Sequence, residues 1–287
     1  MEEKLLKDFE LHLQKTVPIR SAYTKTKALE QFFDWCKEQS IQPSAIHYSE
    51  LLDYMKHCKQ KVSIVTVNNY MATIRNFYKY LVQQQQREDN PAMGLVVKGA
   101  MKKSPMEALN KDELEVIYKT YPSNGIIHKR NRCMLGFLVY QGLQTGEVLR
   151  LQVKDLRLNE GTIYVPATLT ANARILKLEA LQAIHLQSYL LSIRKAFLAM
   201  HKKPTDLLFF STTRAFYLML KQVKANQGKV KSFQHLRSSI IVHWLKSYDI
   251  RQVQYMAGHQ KVSSTAYYRT DQLESLQEQL EKLHPLR

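Results

Sequence analysis

Gln234-His235-Leu236-Arg237, then Tyr255-Met256-Ala257-Gly258-His259, then Ser263-Ser264-Thr265-Ala266-Tyr267-Tyr268: these three runs decide how the chain is read. Taken singly each is ordinary. Tyr268, between Tyr267 and Arg269, reads as a packing or surface residue. His259 after a glycine reads as part of a helix C-terminus, and Arg237 in a basic helix as one more phosphate-positioning contact. What joins them is their order inside a strongly basic region, since residues 200–270 hold 12 Lys and Arg against 2 Asp and Glu.

The same imbalance runs through the 287 residues, where 42 Lys and Arg against 25 Asp and Glu give a net charge of +17. Such an excess can simply keep a protein in solution, but it favours a polyanionic partner, nucleic acid first. Residues 1–97 hold 13 basic and 11 acidic side chains, so almost all of the excess lies beyond them. The length suits two domains, each able to bury its own core. No apolar run has membrane-spanning length, and Met1–Leu13 mixes acidic with apolar residues, unlike a signal peptide. A soluble cytoplasmic protein with no membrane partner is expected. Cys36, Cys58 and Cys133 are odd in number and form no Cys-x-x-Cys pair, which speaks against a disulfide framework or a zinc site and for three small buried hydrophobes. No metal and no cofactor are expected.

From Leu5 to about Gln86 the apolar residues recur at helical spacing, as in Ala28, Phe32, Phe33 and Trp35, or Tyr70, Ile74, Phe77, Tyr78 and Leu81. Four helices fit, with Ser44, Ser49 or the Thr66 region as N-caps and Asn90-Pro91 as the stop. An N-terminal helical domain is expected over residues 1–96, a basic linker over 97–107, and a second domain over 108–287 that opens on Asn110-Lys111-Asp112-Glu113. Only Gly161–Val165 and Arg174–Leu178 read as strands, a hairpin or three-stranded sheet in an otherwise helical domain. The fold class is therefore mainly α with a small β-sheet.

The three opening runs resemble the tyrosine recombinase or phage integrase family. There a His-x-Leu-Arg motif opens a helix, a Gly-His turn follows some twenty residues on, and the nucleophilic tyrosine comes nine residues after that histidine; here His259 plus nine is Tyr268. Arg237-Ser-Ser-Ile-Ile-Val-His243-Trp-Leu is similar to the family's helix after the arginine. Thr66-Val-Asn-Asn-Tyr70, Arg75-Asn-Phe-Tyr78-Lys-Tyr80-Leu and Asn90-Pro91-Ala92 resemble its SAM-like core-binding domain. The resemblance covers nearly the whole chain. It implies a helical core-binding domain and a catalytic domain that clamp duplex DNA, and strand exchange at a specific site, as in integration or excision of a mobile element or resolution of replicons.

The family's chemistry explains the residue types. Breaking a phosphodiester without metal or cofactor needs a nucleophile that stores the bond, and a tyrosine does so as a 3′-phosphotyrosine. Charge grows on the non-bridging oxygens, which guanidinium forks clamp well. The resemblance thus assigns Tyr268 as nucleophile, Arg237 as clamp and His259 as hydrogen-bond donor to the phosphate. Elsewhere the chain departs from the pattern. Gly142-Leu-Gln144-Thr-Gly-Glu147 keeps the glutamate of Gly-Leu-Arg-x-x-Glu but has Gln144 for its arginine. The loop Thr168-Leu-Thr-Ala-Asn-Ala-Arg174 has no lysine near Leu169 to act as general acid, and Gln234 stands at the first histidine. Neighbours offer themselves as substitutes. Arg132 or Arg150 could serve for the arginine, although Arg132 lies twelve residues before Gln144, roughly 18 Å away along a helix. Arg174 or Lys177 could serve for the lysine, and His235 for the histidine. The alternative is a catalytically degenerate DNA-binding accessory or regulatory protein.

For the DNA contact, Lys202, Lys203, Arg214, Lys221, Lys224, Lys229 and Lys231 precede the Arg237 helix, and Arg75 and Lys79 lie on the last helix of the N-terminal domain. Family members act as tetramers. The amphipathic segment 271–283, with Leu273, Leu276, Leu280 and Leu283, is the expected arm to the next subunit, and the resemblance places the chain with the prokaryotic nucleoid.

Overall fold

The computed structural model describes residues 2–99, 107–201 and 205–269. Backbone proximity divides the chain into one compact unit ending at Lys103 and another starting at Ser104.

The first unit is four helices, α1 (Glu2–Thr16), α2 (Ile19–Glu38), α3 (Tyr48–Lys61) and α4 (Ile64–Gln83). Their periodicity does the work. In α4, Val67, Met71, Ile74, Tyr78 and Leu81 recur on one stripe and are buried, facing Ala22, Leu29, Phe32, Phe33 and Cys36 of α2. Phe9, Phe32, Phe33, Tyr54, Phe77 and Tyr78 meet largely edge to face in this core, and each buried ring of this kind is worth about 1.5–3 kcal/mol. Leu95 and Val97 close the same core.

The helix starts differ from the expected caps. His47 precedes α3, its N–H held by Glu50 Oε2 at 2.7 Å, and Ser63 caps α4 by accepting from the Thr66 N–H at 3.3 Å. Ser44 instead sits in the preceding turn, its carbonyl taken by Arg87.

In the second unit, Asn110 caps α5 (Lys111–Lys119) through a reciprocal pair with Glu113. There follow α6 (Gly125–Val139), α7 (Thr145–Arg150), α8 (Ala180–Ser188), a wide π turn over Tyr189–Ile193 leading straight into α9 (Arg194–His201), α10 (Thr213–Asn226), α11 (Phe233–Ser247) and α12 (Ile250–Ala257). Residues 262–269 are also helical. Between α7 and α8 lies an antiparallel sheet in the order β1 (Leu156–Arg157), β2 (Thr162–Val165), β3 (Arg174–Lys177). Its inner face presents Ile163 and Val165 from β2 and Leu176 and Arg174 from β3. The alternation of strand side chains makes Arg174 point inward and Lys177 outward. Among the described residues no helix is long and apolar enough to cross a membrane.

Candidate active site

Helix α11 sets one wall. Ser232 Oγ accepts from the His235 N–H at 3.1 Å and fixes the first turn. One turn in, Arg237 is 3 % exposed. Its Nη1 donates to the Gly142 carbonyl at 2.5 Å and its Nη2 to the Ala257 carbonyl at 2.6 Å, tying the approach to α7 to the end of α12. Burial pulls the Arg237 pKa below its ordinary value, opposed by Glu147 and aided by Arg174.

Helix α12 ends at Gly258, in the left-handed conformation at φ 70°, so the reading of the Gly-His pair as a C-terminal turn is right in geometry. That turn also aims His259. The imidazole Nδ1 lies 2.9 Å from the hydroxyl of buried Thr265, and the ring stacks on Tyr268 with centroids 6.2 Å apart at 8°. Tyr268 is 8 % exposed among Ile241, Val242, Val253 and Ala257, and Gln234 Nε2 donates to its hydroxyl at 3.4 Å. Tyr268, His259 and Gln234 therefore meet in contact, with Arg237 close enough for Tyr268 to act on its charge.

Burial first, then the charges of Arg237 and Arg174, push the His259 pKa from near 6.5 to about 4. The imidazole is neutral at physiological pH. Between those two values the unfolded chain takes up a proton that the folded chain refuses. This contribution to stability is therefore whole above about pH 6.5 and is lost as the pH falls toward 4. Melting wild type and His259→Gln from about pH 7 down to about pH 4 should show the variant losing Tm less steeply; parallel slopes would contradict the shift.

The arginine substitution has an unexpected outcome. Gln144 is exposed at the start of α7, where its backbone N–H donates to Glu147 Oε2 at 2.8 Å. The carboxylate of Glu147 is instead clasped from the sheet, by Arg174 Nη1 to Oε1 at 2.8 Å and Nη2 to Oε2 at 3.0 Å, with both side chains 1 % exposed or less. Burial works to raise the Glu147 pKa, but the hydrogen bonds and charge of Arg174 outweigh it and hold the carboxyl below its usual range. Gly258 makes room for this pair, because a Cβ there would collide with Arg174 Nη1 and Cζ.

The loop between β2 and β3 is stitched to the His259 turn. Asn172 N–H donates to the Gly258 carbonyl at 2.9 Å, Ala171 forms a β-bridge with His259, and Gln260 Nε2 donates to the Leu169 carbonyl at 3.0 Å. Leu169 itself is 80 % exposed.

Several expected residues lie elsewhere. Arg174 lies on β3, after the loop, with Nη1 and Nη2 bound to Glu147. Lys177 is exposed on the other face of β3. His235, one residue from Gln234 and so about 100° round the helix, turns away from Tyr268: its Nε2 meets the Glu107 carbonyl at 2.7 Å and its Nδ1 accepts from the Lys231 N–H. Arg132 lies over the Tyr118 ring, 5.4 Å from its centroid, and Arg150 is exposed at the end of α7. Arg75 donates to the carbonyls of Ala92 and Leu95 and so fastens the chain after α4; Lys79 is exposed. Arg214, Lys221 and Lys224 form an exposed stripe on α10, Lys231 is exposed, and Lys229 pairs with Glu113 at 2.5 Å. Lys202, Lys203 and the segment 271–283 lie outside the described residues.

Thr265, Asn172, Gln141 and Gln182 were not anticipated. The last two exchange amide hydrogen bonds at 2.9 and 3.0 Å, and Gln141 also donates to the Lys177 carbonyl, anchoring β3. Thr265, six residues after His259, carried a spacing signal; the glutamines, 41 residues apart, carried none.

Residues 107–274 match the phage integrase family and residues 5–88 the phage integrase N-terminal SAM-like domain. The chain is 28 % identical to the tyrosine recombinase XerD of Staphylococcus aureus over 235 residues, 79 % of this chain and 78 % of that protein. Its fold is shared with the XerH site-specific recombinase bound to palindromic difH substrate in a post-cleavage complex (TM-score 0.72, 21 % identity, 91 % of this chain and 79 % of that one). It is shared too with the Tn1549 transposon integrase in complex with transposon right end DNA (TM-score 0.70, 14 % identity, 97 % and 99 %). With 168 consecutive residues matched by the catalytic-domain model and the SAM-like domain ahead of them, the chain belongs to the phage integrase family, the tyrosine recombinases.

Proposed function

We propose that this protein is a site-specific DNA recombinase that cleaves and rejoins duplex DNA through Tyr268. The phenolic oxygen attacks phosphorus, the bond to the 5′-oxygen breaks, and the products are a 3′-phosphotyrosine and a 5′-hydroxyl; the phenolic proton leaves and the departing oxygen gains one. The observation that carries this reading is the packing of Tyr268 against His259 and Ala257, with Gln234 at its hydroxyl and Arg237 bonded to the Ala257 carbonyl. The Thr265 hydroxyl lies 2.9 Å from Nδ1; in the tautomer in which it donates there, His259 carries its proton on Nε2 and can offer it to a phosphate oxygen. Gln234 positions the nucleophile's hydroxyl. The exposed stripe of Arg214, Lys221 and Lys224 supplies phosphate contacts, so affinity falls steeply with salt, by about 0.9 log units per log unit of salt for each phosphate neutralised. The active assembly is a tetramer on DNA, joined through segment 271–283.

A second reading rests on the loop: no lysine occurs in residues 166–173, and Leu169 points outward where a general acid would stand. The protein would then bind its site without cutting it. The test uses duplexes selected by this chain from a random-sequence pool and rebuilt with a nick at each position in turn, so that cleavage beside the nick traps the protein. A detergent-resistant adduct is expected; tight, salt-sensitive binding without adduct at any nick position would establish the second reading.

A further inference from the structure

Among the described residues Glu147 is the one acidic partner of two buried guanidinium groups. Arg174 is bound to it directly, and Arg237 feels its charge while its own Nη atoms rest on backbone carbonyls. With His259 neutral, this buried cluster holds one positive charge more than it can compensate. Burying such a charge is costly unless an anion comes to it.

Arg174 also has donors to spare. Its hydrogen bonds to Glu147 and to the Asn172 carbonyl at 3.4 Å use three N–H groups of a guanidinium that has five. Nε is buried and has no hydrogen-bond partner among the described residues. The Nε–H and the neighbouring Nη2–H form the guanidinium's lateral fork, whose spacing suits two oxygens of a phosphate. Residue 144, by contrast, brings no charge: its side chain is exposed and uncharged, although its backbone lies 2.8 Å from the Glu147 carboxylate.

We propose that Arg174 supplies the second guanidinium that grips the scissile phosphate, delivered from strand β3 in place of residue 144. This rests on the recombinase reading for the identity of the anion, but the site is an anion site in its own right. Arg174 takes up the charge that grows on a non-bridging oxygen, beside Arg237. The clamp is complete even though its arginine comes from a different element, and the loop before it, spent on carrying β3 to the His259 turn, contributes no general acid.

Two measurements test this. Titrating the full chain with inorganic phosphate while following the His259 ring by NMR reads the site whether or not the protein cleaves DNA. A saturable shift is expected in wild type, lost in Arg174→Leu and regained in Gln144→Arg/Arg174→Leu, because residue 144 starts its side chain beside Glu147. No shift in wild type, or an unchanged shift in Arg174→Leu, overturns the proposal. A wild-type shift without any covalent adduct leaves it standing and removes the cleavage reading alone. On the nicked duplex that yields adduct, Arg174→Leu should be slower by about 10²- to 10³-fold, and the double variant should recover at least about tenfold of this. A methylphosphonate at the scissile position, which removes the charge, should narrow the gap between Arg174→Leu and wild type. If the gap persists with both probes, Arg174 only supports Glu147 and the proposal falls.

Discussion

Tyr268→Phe forms no covalent adduct with DNA under any condition in which the wild-type protein does, yet binds the same duplex with the same affinity and melts at nearly the same temperature. The substitution removes one oxygen. The ring keeps its stack on His259, its edge contact with Tyr267 at 5.3 Å and its place among Ile241, Val242 and Val253. What is lost is one long hydrogen bond from Gln234, and a neutral bond of ordinary geometry is worth only about 0.5–1.5 kcal/mol. The three readouts therefore separate: adduct by denaturing electrophoresis, affinity by titration, stability by calorimetry. Persisting adduct in the variant would move the nucleophile to another residue, Tyr267 being the first to examine.

Glu147→Gln produces the largest expected loss of stability. The carboxylate receives two N–H groups from Arg174 and one from the Gln144 backbone. An amide in the same place offers a single acceptor oxygen and turns an NH2 toward a guanidinium that can only donate. Removing one partner of a buried ion pair leaves the other charge uncompensated and costs about 3–5 kcal/mol, a fall in Tm on the order of 10 °C for a domain of this size. Adduct formation should fall with it, since Arg174 loses its anchor. The native carboxyl titrates below its ordinary value, so its contribution to stability is present above the unfolded pKa and is lost as the pH falls through the folded one. The variant's melting should accordingly depend less on acid. An unchanged Tm would mean that Arg174 finds compensation elsewhere.

The fold and half of the site could be read from the sequence because they rest on short-range regularities. The stripe of α4, the alternation of β3 and the nine-residue step from His259 to Tyr268 are each properties of one element or of two adjacent ones. The substitute for the missing arginine could not be read in this way. Arg174 is 27 positions from Glu147, and the period of a strand tells that Arg174 and Leu176 share a face without telling which helix that face meets. Arg75 shows the same limit on a smaller scale. Its basic side chain on the last helix of the N-terminal domain suggests a DNA contact, while the guanidinium is engaged by carbonyls 17 and 20 residues downstream. His235 and Gln234 are neighbours in sequence and face different surroundings, a consequence of helical rotation that a one-place shift in alignment conceals.

The seam between the β2–β3 loop and the His259 turn has a mechanical consequence. Three backbone-anchored contacts, from Asn172, Ala171 and Gln260, join the strand that carries Arg174 to the turn that carries His259. Close-packed segments tied at several points move as one body. A force applied to the exposed tip at Leu169, such as a DNA strand lying across it, reaches the imidazole and the guanidinium together. On the proposed phosphate grip, the two groups would engage or withdraw as a unit, with the exposed loop as its handle.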